Sequence, residues 1–417
     1  MEGKRGKYIG KIEKINLVLM FIFIFSIVTM RAVMNISTGL LFLTSLILFF
    51  IKDKNKIFKN KWILMLIVSY PLAILLNLFS PIAFEGARNT AGRFYYPLLF
   101  FILVVSNFDY KYKKWFMLVF EIAMIVGCVW SFYLYFNREA ALLHYPGEDF
   151  IRRVRSFESI GRWGVYLMMA LVLKYSELFL NKTKTNKIYD IIYFLIIFCA
   201  LILNNGRGAW LSAGIGILFF VVFSMKRSIV ISTTILVLLG IVILSSVPVF
   251  KKYMESVKSI GNRSEISNKI RLETWQVGLD IAKENPFFGV GYDKKQKYVL
   301  EYREKMKNDR PKEYIDKYLS YSWVIEGSYG AIAAQNGFLY LGYYLIIIVS
   351  LLSGCYIKII KMSEEVKIEL LGIIASVVSY YSLQQIYLDL QSYSVYLVYF
   401  FLFLLLKKIE LEENKRR

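Results

Sequence analysis

Long apolar stretches constrain this 417-residue chain more than any other feature of its sequence. A helix needs roughly 20 apolar residues to cross the hydrocarbon core of a membrane, and twelve stretches meet or approach that length. Continuous runs predict helices, because a transmembrane barrel shows only a weak alternation of apolar and polar residues. We therefore predict an all-α, polytopic helical bundle. The predicted spans run approximately over 15–30, 34–51, 62–80, 94–106, 115–136, 163–180, 188–204, 209–225, 229–250, 337–356, 368–388 and 392–406.

The charges between these stretches predict how the chain is threaded through the membrane. With the N-terminus in the cytoplasm, every short inner segment is rich in lysine or otherwise basic, as the positive-inside rule requires. Both termini then lie inside, and one long hydrophilic segment lies outside. The predicted organisation is residues 1–250 with the first nine transmembrane helices, 251–325 as a large periplasmic or extracellular loop containing short helices, and 326–417 with the last three transmembrane helices and a cytoplasmic tail.

The short segments predicted to lie outside carry nine arginines and no lysine. Arginine holds a fixed charge on a planar fork that grips phosphate through two hydrogen bonds. The set therefore indicates an anionic ligand on the outer face, although single members could snorkel to lipid headgroups or pair with Glu85, Glu148, Asp149 or Glu158. The nine are Arg31, Arg88, Arg93, Arg138, Arg152, Arg153, Arg155, Arg162 and Arg207.

The formal net charge of +21 does not indicate a nucleic-acid-binding protein. In a membrane protein the excess of basic residues reports topology, and no basic helix or aromatic RNA platform accompanies it. We expect neither a metal nor another cofactor. The predicted outer segments have no aspartate-rich pair and no histidine and cysteine cluster of metal-ligand spacing.

Two short motifs are candidates for chemistry. The first is Asn204-Asn-Gly-Arg207-Gly-Ala-Trp210, a very short turn between two spans that places Arg207 near the membrane boundary. The second is Arg271-Leu-Glu-Thr-Trp275, in a stretch that reads as an amphipathic helix and ends at Asn285-Pro286. Trp275 shares a helical face with Arg271 and either holds its guanidinium or anchors the helix at the membrane interface. The predicted apolar stripe of this helix is Ile270, Leu272, Trp275, Leu279 and Ile281.

These motifs occur in an order that resembles the superfamily of O-antigen ligases and O-antigen polymerases. The elements are Arg207-Gly before a span, Arg271 in a helix followed by Pro286-x-x-Gly289-x-Gly291, and a span that begins with Asn336-Gly337-Phe-Leu-Tyr-Leu-Gly342. They cover roughly residues 187–353. The predicted spans and the large outer loop extend the resemblance over the whole chain.

The resemblance implies a glycosyltransferase of the bacterial inner membrane that takes its glycan from a polyprenyl diphosphate. Two arginines grip the diphosphate in such enzymes, and Arg207 and Arg271 match those positions. Arg152, Arg153, Arg155, Arg162 and Trp275 are further candidates for substrate binding. The implied partners are the lipid-linked glycan donor, a saccharide or glycolipid acceptor and membrane lipids.

The chain departs from the ligase pattern at one position. The family's ligases carry a histidine about eleven residues before the glycine that begins the following span, and the same place here holds Glu326. The only histidine, His144, lies far upstream. A desolvated carboxylate can act as a general base, so Glu326 is the candidate base, with the alternative that it only pairs with an outer arginine.

Three functions stay open at this point. A ligase would move the finished glycan onto a lipid A-core sugar; the length of the chain and the motif order keep it open, and the family resemblance favours it. A polymerase would extend the glycan on the next lipid-linked repeat unit, and the missing histidine favours it. A flippase for lipid-linked oligosaccharides would also have many spans, but such transporters often show inverted repeats and paired broken helices, which are not evident in this sequence.

Overall fold

The computed structural model is helical throughout its described regular elements and contains no strand in them. It describes residues 2–51, 60–92, 95–106, 108–137, 139–141, 155–180, 183–246, 266–293, 297–298, 300–301, 304–305, 325, 327–384 and 393–416. The predicted all-α class is therefore confirmed for these residues.

The principal helices follow one another along the chain with short connections. They are α1 (Glu2–Thr29), α2 (Arg31–Ile51), α3 (Lys61–Asn77), α4 (Ala83–Ala91), α5 (Leu98–Ser106), α6 (Lys113–Phe136), α7 (Ile160–Glu177), α8 (Lys184–Asn204), α9 (Arg207–Ser224), α10 (Arg227–Ser246), α11 (Ile266–Glu284), α12 (Ser328–Ile359), α13 (Glu364–Leu383) and α14 (Val395–Arg416).

Among the residues that the structure describes, seven helical segments are long and apolar enough to cross a membrane. They lie in α1, α2, α6, α8, α9, α12 and α13. Each of the twelve predicted stretches overlaps a helix, but some of these helices are short or carry charge. Helix α3 has 17 residues, α5 has nine, and α7 contains Arg162, Lys174 and Glu177. The chain is thus a polytopic helical membrane protein, and the total of twelve spans stays a prediction.

The centre of the bundle is formed by helices that bury their whole circumference. Every residue from Trp163 to Ser176 of α7 is buried, as is the apolar part of α14 at 395–406. By contrast, α2 and α8 present exposed leucine and isoleucine side chains on one face. This division is typical of a membrane bundle, in which outer helices meet lipid and central helices meet only protein.

Small residues bring α7, α9 and α13 into close contact, as is common between transmembrane helices. A Cβ atom at Gly216 of α9 would lie 2.8 Å from the Cβ of Ser379 and 2.9 Å from the carbonyl oxygen of Ala375, both in α13. On an adjacent face of α13, Ser376 Oγ donates to Met169 O of α7 at 3.0 Å. Helix α13 therefore joins α9 to α7.

The two ends of the bundle differ in their basic residues. Arg31, Arg162 and Arg207 lie in the first turns of α2, α7 and α9, and we call this end the arginine end. Lysines at the opposite end pair with carboxylates of neighbouring helices. These pairs are Lys113 with Glu369, Lys226 with Glu364 and Lys358 with Glu413, and we call this end the lysine end.

Replacing Gly216 with alanine tests the close contact between α9 and α13. The added methyl group meets Ser379 and Ala375, so we expect Gly216→Ala to destabilise the protein by about 1–3 kcal/mol, the usual effect of overpacking. The matched control is Gly214→Ala in the same helix, where nothing lies within 4 Å of a new Cβ. Thermal unfolding of both variants in detergent measures the difference. Equal unfolding midpoints would contradict the contact.

Candidate active site

Arg207 is placed by a tight turn between α8 and α9. Asn205 adopts the left-handed conformation at φ 52°, and Gly206 precedes the first helical residue, which is Arg207 itself. Trp210 Nε1 donates to Leu201 O at 2.7 Å and closes the turn from the inside. The short connection predicted from the sequence is confirmed, and it holds Arg207 at the arginine end.

Asn204 fixes this turn to the start of α7. Its Nδ2 atom donates to Ile160 O at 3.0 Å. Two glycines make room for its side chain, since a Cβ at Gly164 would lie 2.9 Å from Asn204 Oδ1 and a Cβ at Gly206 would lie 2.6 Å from it. The backbone that carries Arg207 is therefore locked against α7 on one side.

Arg271 lies near the beginning of α11, which packs across the first turns of α12. At the closest approach, a Cβ on Gly278 would lie 2.8 Å from Ile325 Cγ2 and 3.2 Å from Gly330 O. Arg271 lies seven residues before Gly278 and thus shares its helix face. It is partly buried. An apolar cluster of Val277, Ile281, Val290, Ile325, Ala331 and Ala334 holds the two helices together.

The predicted apolar stripe of α11 is wrong at several positions. Leu272 and Leu279 are 42% and 40% exposed, and Ile281 is the one member of the stripe that is fully buried. Small residues allow α11 to approach α12 closely, whereas the sequence argument counted only large apolar side chains. The buried face consists of Thr274, Val277, Gly278, Ile281 and Ala282. The predicted end of the helix before Asn285 is confirmed.

Helix α12 is interrupted at Gly337, which has φ 78° and ψ 168°. The interruption frees two carbonyl groups that would otherwise accept hydrogen bonds within the helix. Both are paired by the segment that follows α11. Val290 N donates to Ala334 O at 2.8 Å, and Gly291 N donates to Gln335 O at 2.9 Å.

The same interruption frees a backbone donor, and the loop accepts from it as well. Phe338 N donates to Pro286 O at 2.7 Å. The contact is so close that a Cβ atom at Gly337 would overlap the carbonyl group of Phe287. The segment from Pro286 to Gly291, which the sequence showed only as a turn, is therefore docked into the break of α12. We call it the docking segment.

The other side of the docking segment rests on α3 and α4. Tyr292 N donates to Asn77 Oδ1 at 2.9 Å, and Asn89 Nδ2 donates to Tyr292 O at 3.2 Å. A Cβ at Gly291, which has φ 86°, would lie 2.5 Å from Ser80 Oγ. Two asparagine side chains thus pair both backbone groups of Tyr292, the residue that follows the docking segment.

These contacts place Arg207 and Arg271 at the same end of the bundle. Ser328 N donates to Gln384 O at 2.7 Å, so the first turn of α12 lies beside the end of α13. Helix α13 in turn packs against α9 around Gly216. Because α9 begins with Arg207 and α11 rests on the beginning of α12, both arginines belong to the arginine end.

Glu158 gathers two of the other arginines. Its carboxylate, 1% exposed, accepts from Arg31 Nη2 at 2.8 Å and from Arg162 Nη1 at 3.2 Å. Tyr393 also donates its hydroxyl to Glu158, and its ring lies 4.5 Å from the Arg162 guanidinium. Glu158 is one of the four carboxylates that the sequence offered as partners for the outer arginines, and it pairs with two arginines.

Of the other residues predicted to belong to the site, some lie within the part of the chain that the structure describes and some lie outside it. Arg155 is described and partly buried in the segment that precedes α7. Arg152, Arg153 and the candidate base Glu326 lie outside the described residues, as does His144. Their roles stay predictions.

Several buried side-chain polar atoms lack hydrogen-bond partners among the described residues, and those of Asn336 and Trp275 are among them. Asn336 is 0% exposed, and neither Oδ1 nor Nδ2 of its side chain is paired. The indole Nε1 of Trp275 is likewise buried and unpaired. An unpaired buried group costs roughly 1–3 kcal/mol, which a bound ligand can recover. We therefore add Asn336 to the candidate site, together with Trp275. The sequence had indicated no role for Asn336.

A metal site is not evident in the part of the chain that the structure describes. None of its groups of histidine, cysteine, aspartate and glutamate is arranged to hold an ion. The candidate site instead contains the fixed positive charges of arginines and the buried hydrogen-bond donors of Trp275 and Asn336.

Gly337→Ala tests whether the break in α12 holds the docking segment. Alanine is strained at this positive φ and would also overlap Phe287, so the segment should separate from α12 and become cleavable by protease. The control is Gly342→Ala, later in the same helix, where nothing lies within 4 Å of a new Cβ. Limited proteolysis of the purified proteins should cut only the first variant near residues 286–293. Equal resistance of both would contradict the docking.

Comparison with known proteins finds a family that matches part of this chain. Residues 192–341 match the model of the O-antigen ligase family, and the match contains Arg207, Arg271, the docking segment and the break at Gly337. No curated protein matches the chain. The matched family indicates a glycosyltransferase of the ligase or polymerase type. The order of motifs along the chain and the match over residues 192–341 together support membership of the O-antigen ligase superfamily.

Proposed function

We propose that this protein is a metal-independent O-antigen ligase-like enzyme of the bacterial inner membrane. It transfers a glycan from a polyprenyl diphosphate to a saccharide acceptor of the lipid A-core type on the outer face of that membrane. The observation that carries the proposal is the placement of Arg207 and Arg271 at one end of the bundle by separate, rigid contacts.

The proposed reaction needs fixed positive charge more than any other catalytic group. The acceptor hydroxyl attacks the anomeric carbon of the donor glycan, and the bond from that carbon to the diphosphate oxygen breaks. Negative charge then develops on the departing polyprenyl diphosphate. Arg207 and Arg271 stabilise that charge, since guanidinium groups grip phosphate oxygens in pairs and keep their charge in a partly buried site.

The proton of the acceptor hydroxyl goes to Glu326 in this scheme. The residue occupies the place at which the family's ligases have histidine, and Gly327 beside it is the N-cap of α12. Arg152, Arg153, Arg155, Trp275 and Asn336 are proposed to contact the donor or the acceptor. The ion pair between Arg162 and Glu158 favours a structural role for Arg162.

The direction of the bundle in the membrane follows from its charges. Lysines concentrate at the end opposite Arg207, and the positive-inside rule assigns that end to the cytoplasm. The arginine end then faces the periplasm, and both termini face the cytoplasm. This arrangement suits a donor whose lipid lies in the membrane and whose sugars extend outward.

A polymerase is the second candidate, supported by the glutamate where the ligases have histidine. A transporter has less support. Glu121, the acidic residue deepest in a predicted span, forms an ion pair with Lys174, whose side chain is 4% exposed. A carboxylate held in this way serves packing better than transport.

Deletion of the gene tests the proposed function directly. Loss of all long glycans from the cell surface, with polymer retained on the lipid carrier, is expected for a ligase. A single repeat unit still attached to the acceptor would instead identify a polymerase. Accumulation of unpolymerised lipid-linked units on the cytoplasmic side would identify a flippase and contradict the proposal.

Arg207→Ala and Arg271→Ala should each abolish transfer while the protein still inserts. Loss of one electrostatic donor to a developing charge typically lowers turnover by roughly 10²–10³-fold. Lysine at either position should rescue poorly, because a point charge lacks the two-pronged geometry. The control is Arg88→Ala, an exposed arginine in α4. Transfer assays with purified lipid-linked donor measure the effect, and normal transfer by Arg271→Ala would remove that residue from the site.

Glu326→Gln tests the base. The amide keeps the size and hydrogen-bonding shape of the carboxylate but cannot accept the proton, so turnover should fall by roughly 10²–10⁴-fold. Glu326→His should keep part of the activity, because imidazole serves in the related ligases. Wild-type turnover by Glu326→Gln on purified donor would exclude the base role. Charge reversal to lysine would then reduce mainly the protein level, as expected for a pairing residue.

A further inference from the structure

Two neighbouring helices present continuous apolar stripes to the outside of the bundle. In α3 the exposed side chains recur at the spacing of one helix face and lead to Phe79, which is 63% exposed. In α12 a similar stripe begins just after the break at Gly337. The exposed members are Leu64, Val68, Leu75, Leu78 and Phe79 for α3, and Phe338, Leu339, Ile346, Val349 and Ile357 for α12.

The docking segment adds two phenylalanines where these stripes meet. Helices α3 and α12 are in contact, since Tyr343 Oη donates to Met65 O at 3.0 Å. Phe288 lies against Phe79 with ring centroids 5.3 Å apart, and Phe287 is 66% exposed. Phe84, in the first turn of α4 and five residues after Phe79 in the sequence, is 76% exposed as well. We call Phe79, Phe84, Phe287 and Phe288 the phenylalanine patch.

The lengths of the helices place this patch at a membrane boundary. Helix α3 has 17 residues, or about 25 Å of helix between Lys61 at the lysine end and the turn that carries Phe79. The part of α12 after Gly337 is about 33 Å long at about 1.5 Å per residue. Both lengths are close to the roughly 30 Å thickness of the hydrocarbon core. The patch therefore lies at the level where hydrocarbon gives way to headgroups.

We infer that the phenylalanine patch is a membrane anchor that dips the docking segment into the lipid leaflet at the arginine end. The occupant is bulk bilayer lipid. The patch continues two stripes that meet lipid along the length of α3 and α12, and aromatic and other large apolar side chains partition into this region of a bilayer.

The anchor has a consequence for catalysis, and this part rests on the proposed function. Arg271 lies in α11, and the docking segment follows the end of that helix. The anchor therefore holds α11 at a fixed depth in the membrane. A diphosphate whose lipid tail lies in the bilayer sits at the same depth. The anchor thus aligns the arginine with its substrate along the membrane normal.

Spin labels in liposomes test the anchor without any donor or activity. Cys128, Cys199 and Cys355 are first replaced with alanine, and single cysteines are introduced as Phe287→Cys, Lys283→Cys and Ile346→Cys. Lys283 is an exposed residue of α11 and serves as the aqueous reference, and Ile346 is exposed on α12 and serves as the lipid reference. The measurement compares collisions of each label with apolar oxygen and with a polar nickel complex.

The label at 287 should collide mainly with oxygen. Its ratio of oxygen collisions to nickel collisions should be closer to that of the label at 346 than to that of the label at 283. A value on the Lys283 side overturns the anchor. A lipid-like value that appears only after polyprenyl diphosphate is added also overturns it, because the occupant would then be the donor's tail. Failure of the proposed function leaves the first reading unchanged, since it is taken in liposomes to which no polyprenyl diphosphate has been added.

Transfer assays test the consequence. The double variant Phe287→Ser with Phe288→Ser should lose transfer at low donor concentration while its folded yield is kept, whereas Phe136→Ser should behave as wild type. Phe136 is 82% exposed at the end of α6, on a helix that does not carry the docking segment. Equal transfer by the double variant and the wild type would overturn the alignment role.

Discussion

The pairing of backbone groups at the break in α12 is the interaction on which the arrangement of the site depends. A helix interrupted near a membrane leaves donors and acceptors that lipid cannot satisfy, so protein must supply the partners. Here the partners come from the loop after α11, which thereby acquires a fixed position. These main-chain hydrogen bonds, together with the apolar contact between α11 and α12, fix the placement of Arg271. The glycines of the loop are needed because the two backbones approach so closely.

Buried charge serves the same purpose elsewhere in the bundle. Lys174 binds Glu121, Glu177 and Asp190, and so joins α7 to α6 and α8. Glu158 joins the starts of α2 and α7 to Tyr393, two residues before α14. Ion pairs of this kind are weak evidence for stability, because taking charge from water is costly. They specify instead which helices are neighbours, and a wrong neighbour would leave a charge unpaired in a low-dielectric interior.

The sequence predicted the helices and the candidate arginines but not the contacts between them. Apolar runs locate helices reliably because backbone groups in lipid have no other solution. The buried face of α11 was predicted incorrectly from its large apolar residues. The close contact between α11 and α12 uses glycine and alanine, which carry little hydrophobic signal. The docking of Pro286 to Gly291 was invisible because it consists of backbone hydrogen bonds between distant segments. Asn336 was overlooked for a related reason, since a lack of partners is a property of the folded structure alone.

The central position of α14 has a consequence for how the protein is made. Its apolar half is surrounded by protein, yet it is synthesised after the helices that enclose it. During translation the earlier helices are therefore inserted into the membrane before α14 is available to pack between them. Glu158 can meet Arg31 at that stage, but it meets Tyr393 only when the later part of the chain arrives. Insertion factors and membrane proteases consequently encounter an open bundle for some seconds, at synthesis rates of about 5–20 residues per second.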